Sequence, residues 1–348
     1  MKKIIALAPM DGITNCAYRT ITKELFEKHN TDISSELWLR TEFMNVEGFI
    51  REPGRLIHHI IKTDYEDKTI AQIYWWDHSN LVETAQYLDK YHREFAGIEL
   101  NIWCPSPKIM ACGWGAGMMR DRPRTTAIIK EIAATCSLPF SIKTRVGLTV
   151  DDKEAQKNFI LDIAQYCHHI IIHGRTYKQS HSWDVDWDFI RDIKCDLGDS
   201  CIVIWNGWIQ TYDQIHERMS GLDWTMIWQA AIGRPWLFTN HTPTLTERFD
   251  VIQRHAKMAI ILYDWYTKQS STWRDFQQPT YERLQEQIYN FDAATYSHEQ
   301  TMVEYRKYLF NYISGLPGNR ELKQEIAQIK DYNITIDRIK SFFDKIQP

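Results

Sequence analysis

Residues 97–108, GIELNIWCPSPK, end a β-type run on an amide, Asn101, and a thiol, Cys104. Pro105 follows the thiol directly, and Trp103 stands before it, where a tight turn ordinarily takes a small residue. Comparable polar groups recur along the first two thirds of the chain: Met10-Asp11-Gly12, Gln72, Lys143 with Arg145, His173 with Arg175, Asn206-Gly207, and Gly233-Arg234. A single lysine at the end of an apolar run is usually an ordinary paired residue; the regular recurrence is what argues for a site. Lys143 and His173 can reach a ring system. The backbone N–H groups of the small residues, with Arg234, can cradle a phosphate. No zinc-ligand spacing, Ser-His-Asp order or Walker loop competes, so a phosphate-bearing organic cofactor is the economical reading.

These groups sit at the ends of eight β-rich runs: 4–10, 32–37, 69–75, 97–102, 139–146, 169–175, 201–207 and 224–232. Most are continuously apolar rather than alternating, as expected of parallel strands covered on both faces. Amphipathic stretches such as NLVETAQYLDKYHREF and RTTAIIKEIAATC separate them. Eight β-α units in about 235 residues predict an α/β fold, a TIM (β/α)8 barrel, whose chemistry belongs at the C-terminal ends of its strands. Past RPWLFTNHTPTLTERF the strand signal stops and helical patterns follow, including FDVIQRHAKMAIILYDWY, TMVEYRKYLFNYI and ELKQEIAQI. The expected organisation is a catalytic barrel over 1–243 and a small C-terminal all-helical domain over 244–348.

Composition narrows the function classes. Of 348 residues, 44% are hydrophobic and 25% charged, which is ordinary for a globular protein. No run of 18 apolar residues predicts a membrane span. The opening MKKIIALAPMDG reads as a buried first strand rather than a signal peptide. Seven scattered cysteines without a Cys-x-x-Cys pair argue against a disulfide framework or structural zinc, and no metal is expected. Cys167-His168-His169 reads as strand flank. A reducing, cytoplasmic location fits best. The net charge of −4 carries no global nucleic-acid signal, so any RNA contact must be local. From Thr244 onward basic and acidic residues balance at 14 each, against 27 and 31 before it.

The blocks LAPMDGITNCAYR, AQIYW, ELNIWCPSPK with GAGMMRD, IKTRVG, IIIHGRT, WNGWI and GRPWLF, in this order, resemble the tRNA-dihydrouridine synthases, flavoenzymes that reduce selected uridines of tRNA. The blocks span about residues 4–238; the tail, with YRKYLF and GLPGNREL, resembles the family's helical tRNA-binding domain more loosely. The resemblance implies that Cys104 is the catalytic residue, a general acid that protonates C5 of the uracil ring while reduced flavin gives hydride to C6. A thiol with a pKa of about 8.5 is protonated at neutral pH and suits that role. It further implies FMN contacts at Pro9, Met10, Asp11, Gln72, Lys143, His173, Asn206, Gly207, Trp208, Gly233 and Arg234. Substrate contacts fall at Asn101, Arg145, Arg175 and Thr176. The reductant it implies is NADPH or NADH, the partner tRNA, and the state a monomer. Tyr305, Arg306, Lys307 and Tyr308 could grip the tRNA backbone, or simply belong to an amphipathic helix. Two other readings stand beside it: a small-molecule FMN barrel such as a dihydroorotate dehydrogenase, and a tRNA-binding protein without catalysis.

The departures from the family pattern share one direction. Trp75, Trp103, Trp114, Trp183, Trp205, Trp224 and Trp228 stand where the family commonly has glycine, and Trp76 and Trp208 extend the series. Glycine serves such positions by allowing positive φ and close backbone approach. The chain has 14 Trp and only 15 Gly. Nine more glycines would bring their share to about 7%, the usual value. The expectation is that UGA encodes glycine in the source organism and has been read as tryptophan.

Overall fold

The computed structural model describes residues 3–179, 184–218, 221–269 and 276–346. Eight strands carry the fold: β1 (Lys3–Leu7), β2 (Ser35–Arg40), β3 (Thr69–Tyr74), β4 (Gly97–Asn101), β5 (Phe140–Arg145), β6 (His169–His173), β7 (Ile202–Asn206) and β8 (Trp224–Ile227). Each pairs in parallel with its neighbours. The ring closes where Ile4 pairs Trp224 and where Leu39 pairs Thr69. This order of eight parallel strands, closed and alternating with helices, is a TIM barrel, as the apolar runs predict. A two-residue stub, Met44–Asn45, adds to the outer end of β3.

Period-two alternation decides what faces inward. Ile4, Ala6, Ala8, Ile171, Ile204, Trp224 and Met226 pack together in the barrel interior. The same parity turns Glu99 and Asn101, then Ser141, Lys143 and Arg145, then His169 and His173, to the inside. All of these side chains are buried. Their neighbours Ile98, Leu100, Ile142, Ile170 and Ile172 are buried too, which is why the strands read as continuous apolar runs with polar residues interspersed.

Most strand bounds fall within three residues of the expected runs, as where β1 ends at Leu7 rather than 10, and two of the shifts have a visible cause. β2 begins at Ser35 rather than residue 32, because Asp32 makes a turn: its carboxylate accepts from Ser34 N (2.9 Å) and its carbonyl from Ser35 N (3.0 Å). The strand therefore runs on through Leu39 and Arg40. β8 ends at Ile227 rather than 232, since Gln229–Ala231 forms a single tight helical turn.

Contacts divide the chain into two compact units. Met1–Asp11, Asp32–Ile60 and Asp67–Trp228 form the first, which holds the barrel; Gly12–Thr31, Ile61–Glu66 and Gln229–Pro348 form the second. Within the second, the long helix Leu245–Gln269 packs with Cys16–His29, Tyr281–Tyr289, Glu299–Tyr312 and Tyr332–Ile346. Buried Arg19 is held by Glu66 (Nε–Oε2 2.6 Å), and Arg254 binds both carboxylate oxygens of Glu24 at 2.7 Å. Tyr305 and Tyr308, offered above as tRNA contacts, are core residues. Tyr305 donates to Ile252 O (2.7 Å) and Tyr308 to Ile13 O (2.6 Å), so neither ring faces solvent. The helix follows the amphipathic alternative there, and Arg306 also binds a backbone oxygen, that of Ile329, at 2.9 Å.

Candidate active site

Strand register brings the expected polar residues of the first unit to one end of the barrel. Asn101 pairs with Lys143, Arg145 with His173, and His173 with Asn206, so the C-terminal ends of β4 to β7 stand level. Hydrogen bonds then tie the group together. Lys143 Nζ donates to Asn206 Oδ1 (3.1 Å), and Asn206 Nδ2 donates to Met226 O (3.0 Å). Asn101 Nδ2 donates to Gln72 Oε1 (3.0 Å), while Asn101 Oδ1 accepts from Trp103 N (3.2 Å) and Cys104 N (3.0 Å).

Cys104 thus sits on a turn clamped by the last side chain of β4. The clamp has a second arm, because Arg145 Nε donates to Trp103 O (2.8 Å) and its Nη1 to Thr176 O (3.2 Å). Arg145 is engaged with backbone carbonyls at both loops, which fixes one against the other. The thiol is 7% exposed. Burial raises its pKa, against the Ser106 backbone N–H and the charges of Arg145 and Lys143, which lower it. It is a protonated, buried thiol at neutral pH. Burial holds Lys143 well below an ordinary lysine and brings Arg145 down to about 10. Arg145 therefore stays a cation at neutral pH in a water-poor site, where a charge acts strongly on whatever anionic or electron-rich group lies beside it.

The remaining expected residues are dispersed more widely. Pro9 and Met10 are buried just past β1, and Asp11, exposed, is near enough to Cys104 to raise its pKa. Thr176 is buried, its N–H bonded to Gln179 Oε1 (2.8 Å), and the Arg175 guanidinium lies 5.4 Å from the ring of Trp208. Gly207 has φ +137°. Gly233 and Arg234 belong to the second unit. There Gly233, at φ +66°, lies so close to Asn311 and Tyr312 that a Cβ would fall 2.7 Å from Asn311 C and 2.8 Å from Tyr312 N. That packing is sufficient reason for glycine at 233, whatever else the position does.

Two residues of the site went unnoticed in the sequence. Glu99, two positions before Asn101 and on the same face of β4, accepts from Gln72 Nε2 (2.6 Å) and pairs with Arg40 Nε (3.4 Å). The signal was there: a carboxylate in the middle of an apolar parallel strand must have a partner. Arg40 escaped because the expected strand stopped at 37.

Two of the tryptophans, Trp103 and Trp228, crowd this end of the barrel. Lys143 Nζ lies 3.1 Å from the centroid of Trp103, whose ring also faces His173 (5.9 Å, near parallel) and Trp228 (5.4 Å, edge-on). Trp103, Trp114 and Trp224 each bury an indole N–H that has no hydrogen-bond partner among the described residues, a cost that well-placed tryptophans avoid. Trp205 is pressed against Trp187 more tightly than stacked rings sit. Trp208 is the only non-glycine with positive φ (+50°) among the described residues. That region strongly favours glycine. Trp75 lies against Trp114 at 3.9 Å with the rings tilted by 39°, and Trp76 is 42% exposed. Trp183 lies outside the described residues. The polar set fits a flavin, offering donors and acceptors to a ring edge and a backbone cradle after β7. The Trp103 indole does not fit one, because it fills the space that Lys143 and His173 face.

One cluster of metal-ligand types occurs among the described residues: His29, His241 and Glu247, in the second unit. Its imidazoles stack face to face at 3.8 Å and 3°, so no single ion can lie in the plane of both rings. Glu247 instead accepts from Thr244 N (2.8 Å) and pairs with His241 Nε2 (3.1 Å), capping the helix that follows.

Comparison with known proteins gives one consistent result. The family model described as dihydrouridine synthase matches residues 6–347. A probable tRNA-dihydrouridine synthase of Rickettsia conorii is 23% identical over 98% of this chain and 94% of its own length. One from Mycobacterium tuberculosis is 24% identical over 98% of this chain and 82% of its own. A tRNA-dihydrouridine synthase B of Xanthomonas campestris is 27% identical over 67% of each. Among solved structures, a mandelate oxidase mutant superposes at a TM-score of 0.42 with 12% identity, over 67% of this chain and 65% of its own. That superposition is too loose to add to a barrel assignment that rests on strand order.

Proposed function

The chain belongs to the dihydrouridine synthase family, and on that premise we propose that it is a tRNA-dihydrouridine synthase, an FMN-dependent oxidoreductase that saturates the C5=C6 bond of uridines in tRNA. The observation that carries the reading is the Cys104 turn: a protonated thiol held at the C-terminal mouth of the barrel by Asn101 and Arg145, beside buried Lys143. FMN, once reduced and bound there, would supply a hydride to C6. The rest is work for the chain's own residues. Cys104 Sγ gives the proton to C5. Pro9, Met10, Asp11, Gln72, Lys143, His173, Asn206, Gly207, residue 208, Gly233 and Arg234 hold the cofactor. Asn101, Arg145, Arg175 and Thr176 meet a uridine that has left its stack. The electrons come from NADPH or NADH. The working form is a cytoplasmic monomer, with catalysis in 1–243 and tRNA binding in 244–348.

The same proposal extends to the tryptophans. Glycine stands at 75, 103, 114, 183, 205, 224 and 228 in the native protein, and by extension at 76 and 208, UGA being its codon. The orphaned indole N–H groups, the positive φ of Trp208 and the ring that fills the space beside Lys143 all support this. If residue 103 is tryptophan in the native protein, the filled space favours a tRNA-binding protein without catalysis.

Two measurements separate these readings. The first is the mass of the tryptic peptide 94–108 from the source organism, expected to carry glycine at 103. The second compares the chain as written with one restored to glycine, for bound flavin and for dihydrouridine formed in tRNA. The restored protein should bind FMN and act, and Cys104→Ala in it should keep FMN but lose at least about 100-fold in rate. Full activity in Cys104→Ala would end the assignment of Cys104, and equal flavin in both chains would end the steric argument.

A further inference from the structure

We propose that Glu99 is a positioning residue that sets the direction of a hydrogen-bond relay ending on the Cys104 turn. The relay runs from Arg40 through Glu99, Gln72 and Asn101 to the N–H groups of Trp103 and Cys104. All its side chains are buried and all belong to the barrel unit.

Donors and acceptors fix that direction. A primary amide presents an acceptor on one side and donors on the other, and nothing in its shape chooses between the two orientations. A carboxylate facing a guanidinium and an amide accepts from both. Glu99 takes Arg40 Nε on Oε2 and Gln72 Nε2 on Oε1. Gln72 must therefore turn its Oε1 to Asn101, which answers with Nδ2. Asn101 is left with Oδ1 for the turn, where two backbone N–H groups require an acceptor. Reversal of Gln72 would set oxygen against oxygen at Glu99 and, two links on, NH2 against N–H at Cys104.

A glutamine at 99 reverses this order. Its single oxygen goes to Arg40, whose Nη1 and Nη2 have no hydrogen-bond partner among the described residues, and its NH2 faces Gln72. Gln72 then turns its own NH2 towards Asn101, and Asn101 confronts the turn with Nδ2. An aspartate at 101 only accepts and so suits this reversed direction, taking the Gln72 NH2 on one side and the N–H groups of the turn on the other. The relay gives Glu99 a purpose beyond neutralising Arg40, and that purpose matters to catalysis through the reading of Cys104 as the proton donor.

The test uses the full chain and needs neither flavin nor turnover, so it succeeds or fails independently of the functional assignment. The alkylation rate of each cysteine by iodoacetamide at pH 8 is followed by peptide mass, with buried Cys16, Cys167 and Cys201 as internal references. Glu99→Gln should change the Cys104 rate about tenfold, the order of one lost hydrogen bond, with the reference cysteines unmoved. The double variant Glu99→Gln with Asn101→Asp should return Cys104 to within about twofold of the parent, since the turn regains its acceptor. An unchanged rate in Glu99→Gln, or no return in the double variant, would overturn the proposal. Removing one member of a buried ion pair can unfold a chain, which would raise all four cysteines together. In that case Gln72→Leu decides, because it keeps the Arg40–Glu99 pair and cuts the relay. A selective change at Cys104 supports the proposal, and an unchanged Cys104 ends it.

Discussion

As the proposed proton donor, Cys104 has to be acidic enough to give a proton and protonated enough to have one. Its surroundings settle that balance towards the thiol: burial outweighs the Ser106 N–H and the charges of Arg145 and Lys143. The proton-donating form is then fully present below the raised pKa and is lost only as pH rises through it. Alkylation of Cys104 should accordingly reach half its limiting rate above about pH 8.5, the ordinary thiol value. Uridine reduction should stay level across neutral pH and fall only in the same alkaline range. A midpoint near pH 7, measured by peptide mass against pH, would contradict the burial argument. Residue 208 offers a second test at this scale, since its φ of +50° lies in the left-handed region. Trp208→Gly should raise stability by about 1 kcal/mol in urea titration, and no gain would mean that the backbone there suits tryptophan.

At the scale of elements, the barrel strands do two jobs with one alternation. β4 directs Ile98 and Leu100 to one side and Glu99 and Asn101 to the other, so a single five-residue strand supplies both core and site. β5 repeats the device with Ser141, Lys143 and Arg145. The close approach at Gly233 is a corresponding constraint in the second unit. An alanine there would combine a positive φ with contact against the backbone of Asn311 and Tyr312. Gly233→Ala should lower stability by about 2–3 kcal/mol in urea. A loss below about 0.5 kcal/mol would show that the Glu299–Tyr312 helix yields at its end.

For the molecule as a whole, buried histidines set the acid limit. Burial holds the pKa of His255 at about 3 in the second unit, and those of His169 at about 3 and His59 at about 4 in the first. The unfolded chain takes up these protons near pH 6.5 and the folded chain does not, so stability is complete above that pH and is lost as pH falls below it. Each histidine contributes a slope of up to about 1.4 kcal/mol per pH unit in that window. The thermal midpoint should hold from pH 8 to 7 and decline steadily from 6.5 to 4.5. A flat profile would mean that water reaches these rings.

The sequence by itself determined the barrel and the positions of its polar strand ends, and it singled out Cys104 as the thiol proposed for the proton transfer. Apolar runs, strand-end residue types and ordered motifs are local, so they survive without coordinates. It also exposed tryptophans at positions where the family it resembles has glycine, since a residue of unusual size in a turn is a local contradiction. What it did not determine was which buried polar groups meet. The pairing of Glu99 with Arg40 joins strands 59 residues apart. The burial of Tyr305 and Tyr308 depends on backbone carbonyls at Ile252 and Ile13. Such partners are chosen by register and packing across the fold. A helix or strand pattern shows that a side chain will be buried or exposed, but only the tertiary structure decides what it is buried against.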